Sequence, residues 1–309
     1  MTTSTEFHYG LAKFLPFQDP EACERVRNIR RADITHHANP DFKIRVIDEA
    51  RAFYSEFAID IVRRIAQALK EGRRFVGIFP VGPMPQYPIA ARIINALQIE
   101  CKHMHTFNMD EYADEEGNTA PLSWSGSFQK AMLDNFFGLI DERLRPPMDQ
   151  VYFPTTDAID RYAEAIEDLG GADVVYGGVG WGGHIAFWEP HLADDYGGDL
   201  EAWERAGPRL VDLHPMTIMQ NALHSFGGDW SWVPPMANTI GPAQILRARD
   251  RSFWLDGSLG DGVSWQRFIT RLAAHGPITP FVPASILQTV PGSYTILGGV
   301  ADDVEIHMS

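Results

Sequence analysis

Residues 46–97 restrict the fold of this chain more than any other stretch. Phe53, Phe57, Ile61, Ile65 and Leu69 recur every four residues, Ala58, Val62 and Ala66 fill the same stripe, and Gly72 closes it. That spacing predicts a helix over 46–69. Phe75 to Phe79 follows as a continuous apolar run, the pattern of a strand covered on both faces. A second helix is expected over 83–97, with prolines near its start. The alternation continues with strands at 103–108 and 173–179 and near 210–213 and 252–256, and a last strand at 293–299. Helices are expected at 125–138, 157–169 and 262–274. Strands alternating with helices imply an α/β fold with an open, mostly parallel, doubly wound sheet and helices on both faces, of Rossmann-like type. The 309 residues, 45% of them hydrophobic, suffice for one such domain over 43–309. Residues 1–42 form a charge-rich N-terminal extension to which the sequence assigns no role.

Two segments fall where a sheet of this type holds its ligands. Five glycines occupy seven positions from Gly177 to Gly183, directly after the apolar run at 172–176, and lead into His184 and then Glu189. Glycines at a strand end let the backbone approach a ligand closely. Imidazole titrates near neutrality, and a carboxylate beside it can fix its tautomer, so His184 and Glu189 are candidates for an acid/base pair. A glycine-rich turn with a solvated histidine and glutamate is the alternative. The second segment, 101–112, ends its strand pattern in a carboxylate pair, Asp110 and Glu111, again at a carboxyl strand end.

FNMDEY at 107–112 and GGVGWGGHIAFWEP at 177–190 together resemble the glucosamine-6-phosphate deaminase/isomerase family. The resemblance extends over residues 43–301, through FPVGPMP at 79–85, SFQKAMLDNFF at 127–137 and the closing SILQTVPGSYTILGGVADD. It implies that Asp110 moves a proton between C2 and C1 of an amino sugar phosphate, that His184 assists ring opening, and that Glu189 partners His184. It also implies chemistry without a cofactor or metal. Gly82, Glu111, Gly180, Trp181, Gly182, Gly183 and Trp188 are the expected substrate-binding residues, with N–H groups around 180–183 stabilising an enediolate or enolamine oxygen.

The departures from the family pattern bear on the substrate. The family reads G-x-G-x-D-G-H, and this chain has Gly182 where the aspartate belongs. Its P-T-G-G-T-P phosphate loop is matched here with Pro83 and Met84 in place of the second glycine and the threonine, which removes an N–H and a hydroxyl. The arginine of its N-S-R-F-F motif aligns to Leu223, and the lysine of G-S-x-K to Gly260. A dianion taken out of water without charged partners is strongly disfavoured, so a handle other than the 6-phosphate is expected. Trp181 and Trp188 beside the histidine, with Trp124, Trp230 and Trp232, offer aromatic faces for the C–H surface of a sugar. The expected activity is an aldose–ketose type proton transfer on a sugar or amino sugar, with ammonia released if a 2-amine is present. A phosphate-using deaminase, with Lys102, Arg205 or Arg209 as replacement cations, a sugar lactone hydrolase and a non-catalytic sugar-binding module are the alternatives.

Other partner classes are disfavoured. A net charge of −15 and no clustered Lys or Arg argue against nucleic acid. No apolar run is long enough for a membrane span, and the first residues do not read as a secretion signal. Cys23 and Cys101 lack metal-ligand spacing, and a cytoplasmic homo-oligomer is expected. His103 and His105 alternate along a strand and share a face, which burial explains as well as a metal does. The polar stretch 191–208 after Glu189 has the length of a lid.

Overall fold

The computed structural model describes residues 9–260, 262–306 and 308. Its strands, in chain order, are β1 (Phe42–Ile47), β2 (Phe75–Phe79), β3 (Met104–Asn108), β4 (Asp110–Ala113), β5 (Val151–Tyr152), β6 (Val174–Gly177), β7 (Arg209–Asp212), β8 (Met236–Thr239), β9 (Asp250–Leu255), β10 (Ser258–Gly260), β11 (Val263–Ser264) and β12 (Gly292–Leu297). Seven of them build one sheet in the order β1-β12-β9-β6-β2-β3-β5. Every neighbouring pair in it is parallel.

Register sends alternate side chains to opposite helical layers. Trp254 and Tyr176 face the Ala50–Lys70 helix, where Phe57 stacks on Trp254 with ring centroids 4.5 Å apart and Asp60 accepts a 2.9 Å hydrogen bond from the Tyr176 hydroxyl. Tyr294 and Phe107 face the other way. The Tyr294 hydroxyl donates to the Thr270 carbonyl of the Arg267–His275 helix, and Phe107 meets Tyr162 of the Ile159–Asp168 helix edge-on at 5.3 Å. The apolar stripe of the Ala50–Lys70 helix is buried from Phe53 to Ile65, as its period requires, and its last member, Leu69, is exposed.

The order of the strands places the site. From β2 the chain steps outward to β3 and β5, then returns to the centre at β6 and steps the other way through β9 and β12. The reversal between β2 and β6 opens a crevice at their carboxyl ends. Gly178, just past β6, sits inside it: a methyl group there would lie 3.6 Å from the Trp254 carbonyl oxygen and 3.7 Å from that of Gly82.

Four features differ from the sequence expectation. Residues 46 and 47 belong to β1, because Val46 and Ile47 pair with Ile296 and Leu297, and the helix starts at Ala50. Strand 209–212 lies outside the parallel sheet; it joins β8 and β4 in a three-stranded antiparallel sheet, order β4-β8-β7. The stretch after Glu189 forms no open lid. It folds into the turns Pro190–Tyr196 and Leu200–Glu204, because Leu192, Ala193, Trp203 and Ala206 anchor it in the core. The described part of the N-terminal extension, from Tyr9 onward, is packed against the end of the chain. Its Pro20–Arg27 helix lies on Arg267–His275, Val26 and Ile34 are fully buried, and Arg31 donates to the Asp302 carboxylate at 2.6 Å. Residues 1–8 lie outside the described residues. Among the described residues no helix is long and apolar enough to cross a membrane.

Candidate active site

A cleft of about 820 Å³ occupies the crevice, walled by the chain ends beyond β2, β3, β6 and β9. Asp110 enters it from β3 by way of a single linking residue. The Met109 N–H donates to the Phe79 carbonyl of β2 and its carbonyl accepts from Ile240 N, both at 2.9 Å, so the chain crosses from the large sheet to the small one at that point. Asp110 opens β4 on the cleft side and is 6% exposed. Burial, with the neighbouring Glu111 carboxylate adding to it, pushes its pKa up to about 8.

Glu111 points away. Adjacent residues of a strand face opposite sides, so Asp110 and Tyr112 line the cleft and Glu111 does not. Its carboxylate accepts four hydrogen bonds, from the N–H groups of Tyr112, Phe128 and Gln129 and from the Ser127 hydroxyl, at 2.7–3.0 Å. Those donors include the start of the Phe128–Asn135 helix, whose N-terminus favours an anion. Glu111 therefore ties the wall of the cleft to β4, and its place is structural. Glu111→Ala should lower the unfolding free energy by about 3 kcal/mol in urea titrations, since buried donors are left unpaired.

His184 lies on the chain beyond β6 and is 5% exposed. Its Nδ1 is 2.9 Å from Thr217 Oγ1 and 3.4 Å from Glu189 Oε2. Glu189 is fully buried, and its other oxygen accepts from the His214 N–H at 3.2 Å. A carboxylate beside Nδ1 favours the tautomer with the proton there, which leaves Nε2 as the atom for a ligand. The ring lies flat against Gly180: a Cβ at that residue would be 1.9 Å from His184 Nε2. Gly180 also closes the turn by donating its N–H to the His184 carbonyl at 3.0 Å.

The remaining expected binding residues divide. Gly82 and Gly180 line the cleft with His184 and Asp110. Gly182 and Gly183 do not; Gly183 has φ +91° and would press a Cβ within 3.0 Å of Val282, so it serves packing. Trp188 is fully buried with Arg209 5.0 Å above its ring, and Trp181 packs on Trp265 with its N–H held by Gln220 at 2.6 Å. Neither lines the cleft. The aromatic walls come from Trp124, Trp232, Trp265, Phe187 and Phe226, with Trp124 and Phe226 stacked at 5.9 Å. Trp230 stands exposed outside the lining, and His103 and His105 lie away from it. Among the described residues no group of His, Cys, Asp or Glu is arranged to hold a metal ion.

Three lining or supporting groups escaped the sequence reading. Thr217 sits in the first turn of the Pro215–Ser225 helix, whose start is marked by Pro215. Gln220 from the same helix lines the cleft. Asp256 lies one residue past β9, where the rule that flagged Asp110 also applies. It is half-buried and accepts a 2.7 Å hydrogen bond from the Tyr54 hydroxyl. Burial raises its pKa, against the Tyr54 hydrogen bond and the nearby His224, which lower it.

Among the described residues, no Lys or Arg lines the cleft. The turn after β2 carries Pro80, Pro83 and Pro85, so it offers few N–H groups at the start of the Gln86–Leu97 helix. Leu223 and Gly260, the residues aligned to the family's arginine and lysine, are both exposed and outside the lining.

The chain has relatives in sequence and in fold among known proteins. The chain is 33% identical over 220 residues to the glucosamine-6-phosphate deaminase of Caenorhabditis elegans, covering 69% of this chain and 76% of that one. It is 31% identical over 245 residues to glucosamine-6-phosphate deaminase 2 of Giardia intestinalis, covering 77% and 83%. Among solved structures, a monomeric glucosamine-6-phosphate deaminase described as a missing link of the NagB superfamily superposes with a TM-score of 0.70 at 22% identity, over 84% of this chain and 99% of that one. The 6-phosphogluconolactonase of Thermotoga maritima shares the fold with a TM-score of 0.58 at 14% identity, over 82% and 98%. No protein-family model matches the chain.

Proposed function

Because this chain belongs to the glucosamine-6-phosphate deaminase family, we propose that it catalyses proton transfer between C2 and C1 of a sugar or amino sugar and does so without a 6-phosphate. The observation that carries the reading is the pairing, in one cleft, of Asp110 with a pKa of about 8 and His184 with Nδ1 engaged by Thr217 and Glu189. A general base works best with a pKa near the operating pH, and His184 can pass a proton through Nε2 while its other nitrogen is held.

His184 Nε2, the unprotonated ring nitrogen, takes the proton of the anomeric hydroxyl and passes it to the ring oxygen as the C1–O bond of the cyclic form breaks. Asp110 takes the C2 proton and the C–H electrons form the C1=C2 bond as O1 becomes an oxyanion; a proton of the 2-hydroxyl or 2-amine then passes to O1, the C2=O or C2=N bond forms, and the proton on Asp110, in exchange with solvent, is delivered to C1. With a 2-hydroxyl the product is a ketose. With a 2-amine, addition of water at C2 gives a ketose and ammonia. Thr217 supports the imidazole together with Glu189, since both approach Nδ1. The absence of Lys and Arg from the described lining and the proline-rich turn after β2 support a substrate without a phosphate. Trp124, Trp232 and Phe226 supply faces for the apolar side of a pyranose.

The test is hydrogen exchange in deuterated water, followed by NMR with glucosamine, glucose, fructose and glucosamine 6-phosphate, together with an ammonia assay. Exchange at C2 of an unphosphorylated sugar is the expected result. Exchange with glucosamine 6-phosphate alone would overturn phosphate independence, and lactone hydrolysis with no exchange on any sugar would replace the isomerase reading.

A further inference from the structure

Asp256 has no role in the proton transfer described above, yet it is a carboxylate on the wall of the same cleft. Its position follows from the strand order. Across the sheet, the chain ends that reach the cleft succeed one another as β9 with Asp256, β6 with the glycine run and His184, β2 with Gly82, and β3 with Asp110. Asp256 therefore flanks the histidine segment on the side opposite the base. Gly178 confirms the closeness of the middle members, since its Cβ position is within 4 Å of carbonyl oxygens from both the β9 and the β2 ends.

The surroundings of Asp256 differ from those of two other acids that play structural parts. Glu111 is satisfied by four hydrogen bonds and Asp60 by Arg63, Arg64 and Tyr176. Asp256 receives the Tyr54 hydroxyl on one oxygen, and no Arg or Lys pairs with it among the described residues. A titratable neighbour in the lining is His224, which accepts from the Trp265 indole N–H at 2.5 Å. A carboxylate left so far from a cation is costly in a partly desolvated wall unless a ligand supplies donors. Hydroxyl groups of a sugar are such donors, and a phosphate, an acceptor carrying negative charge, is the opposite.

Resting on the functional reading above, we propose that Asp256, held in place by Tyr54, is the specificity-determining residue of the cleft. Its carboxylate accepts hydrogen bonds from the hydroxyl end of an unphosphorylated sugar and repels the phosphorylated counterpart. Trp265 and His224 frame that end, and Asp110 and His184 work at the other. Hydrogen bonds to an ionised acceptor are among the stronger ones, and like charges across a narrow site discriminate sharply, so one residue can set this preference.

Binding and turnover are measured separately. Glucosamine and glucosamine 6-phosphate are titrated by calorimetry into the full-length protein and into Asp256→Asn, and C2 exchange is recorded for each. For the unaltered protein we expect the phosphorylated sugar to bind at least about tenfold more weakly, with the gap shrinking as salt is added. In Asp256→Asn, glucosamine should bind about tenfold more weakly and the preference against the phosphate should fall by a similar factor. Tyr54→Phe, which leaves the charge in place but frees it, should move the ratio the same way by a smaller amount and serves if Asp256→Asn does not fold. An unchanged ratio in a folded Asp256 variant, or tighter binding of the phosphate by the unaltered protein, would overturn the proposal. Failure of every sugar to exchange, with the Asp256-dependent ratio intact, would overturn the catalytic reading and leave this one standing.

Discussion

Replacing Asp110 with asparagine is expected to slow C2-hydrogen exchange by about 10²–10⁴-fold, the usual contribution of a positioned general base, while sugar binding stays within a few-fold of the original. Asparagine preserves shape and removes the proton acceptor, so a loss in kcat with little change in KM distinguishes a base from a binding residue. The pH profile of the unaltered protein gives an independent check. Since burial and Glu111 raise the Asp110 pKa to about 8, the rate should climb through neutrality and level off above that value. The same shift acts on stability with a definite sign. Asp110 holds its proton far more tightly when folded than at its ordinary pKa of 3.8, so its contribution is fully present below about pH 4 and is lost as pH rises through about 8. Asp110→Asn should therefore flatten the stability–pH curve between those limits and raise the melting temperature at pH 9, although it slows turnover. A variant as active as the original, or one with no gain in stability at alkaline pH, would remove Asp110 from the assigned role.

Gly180→Ala is expected to be nearly as damaging to turnover by a different route. The added methyl would occupy space 1.9 Å from His184 Nε2 and 2.0 Å from Cε1, so the imidazole has to leave its hydrogen bond with Thr217 and its place beside Glu189. Loss of a positioned acid/base group predicts a drop of about 10²-fold or more in exchange, with about 1–3 kcal/mol of destabilisation from overpacking. Gly207→Ala is the control, since a Cβ there meets nothing within 4 Å. The His184 ring resonances, followed by NMR across pH, would show whether the imidazole has moved. If activity survives Gly180→Ala, the ring is free to sit elsewhere and the proton-relay geometry is wrong.

The periodicity of 46–97 and the motifs at 107–112 and 177–190 made the sheet, its crevice and the pair His184–Glu189 legible before any coordinates. The limits of that reading have physical causes. Asp110 and Glu111 are chemically alike and adjacent, and only the pleat of β4 decides that one meets solvent space and the other caps a helix. Trp188 stands close to His184 in sequence, but the turn between them sends it into the core beneath Arg209, whereas Trp265 reaches the cleft from a distant segment. Thr217 was hidden because a helix beginning at Pro215 in a weakly patterned region carries little signal, and its contact with His184 spans 33 residues. Strand 209–212 carried the right propensity for an extended conformation and no information about which sheet would accept it.

The bridge at Met109 has a consequence for how such an enzyme can change. Because that residue is hydrogen-bonded to both sheets at once, the Asp110 carboxylate next to it is held by regular strands, while Asp256, Trp232 and Trp265 lie outside the strands around the cleft. New substrate preferences can arise by remodelling the rim with the proton-moving end left undisturbed, so libraries confined to those three positions should yield altered sugar selectivity at little cost in folding.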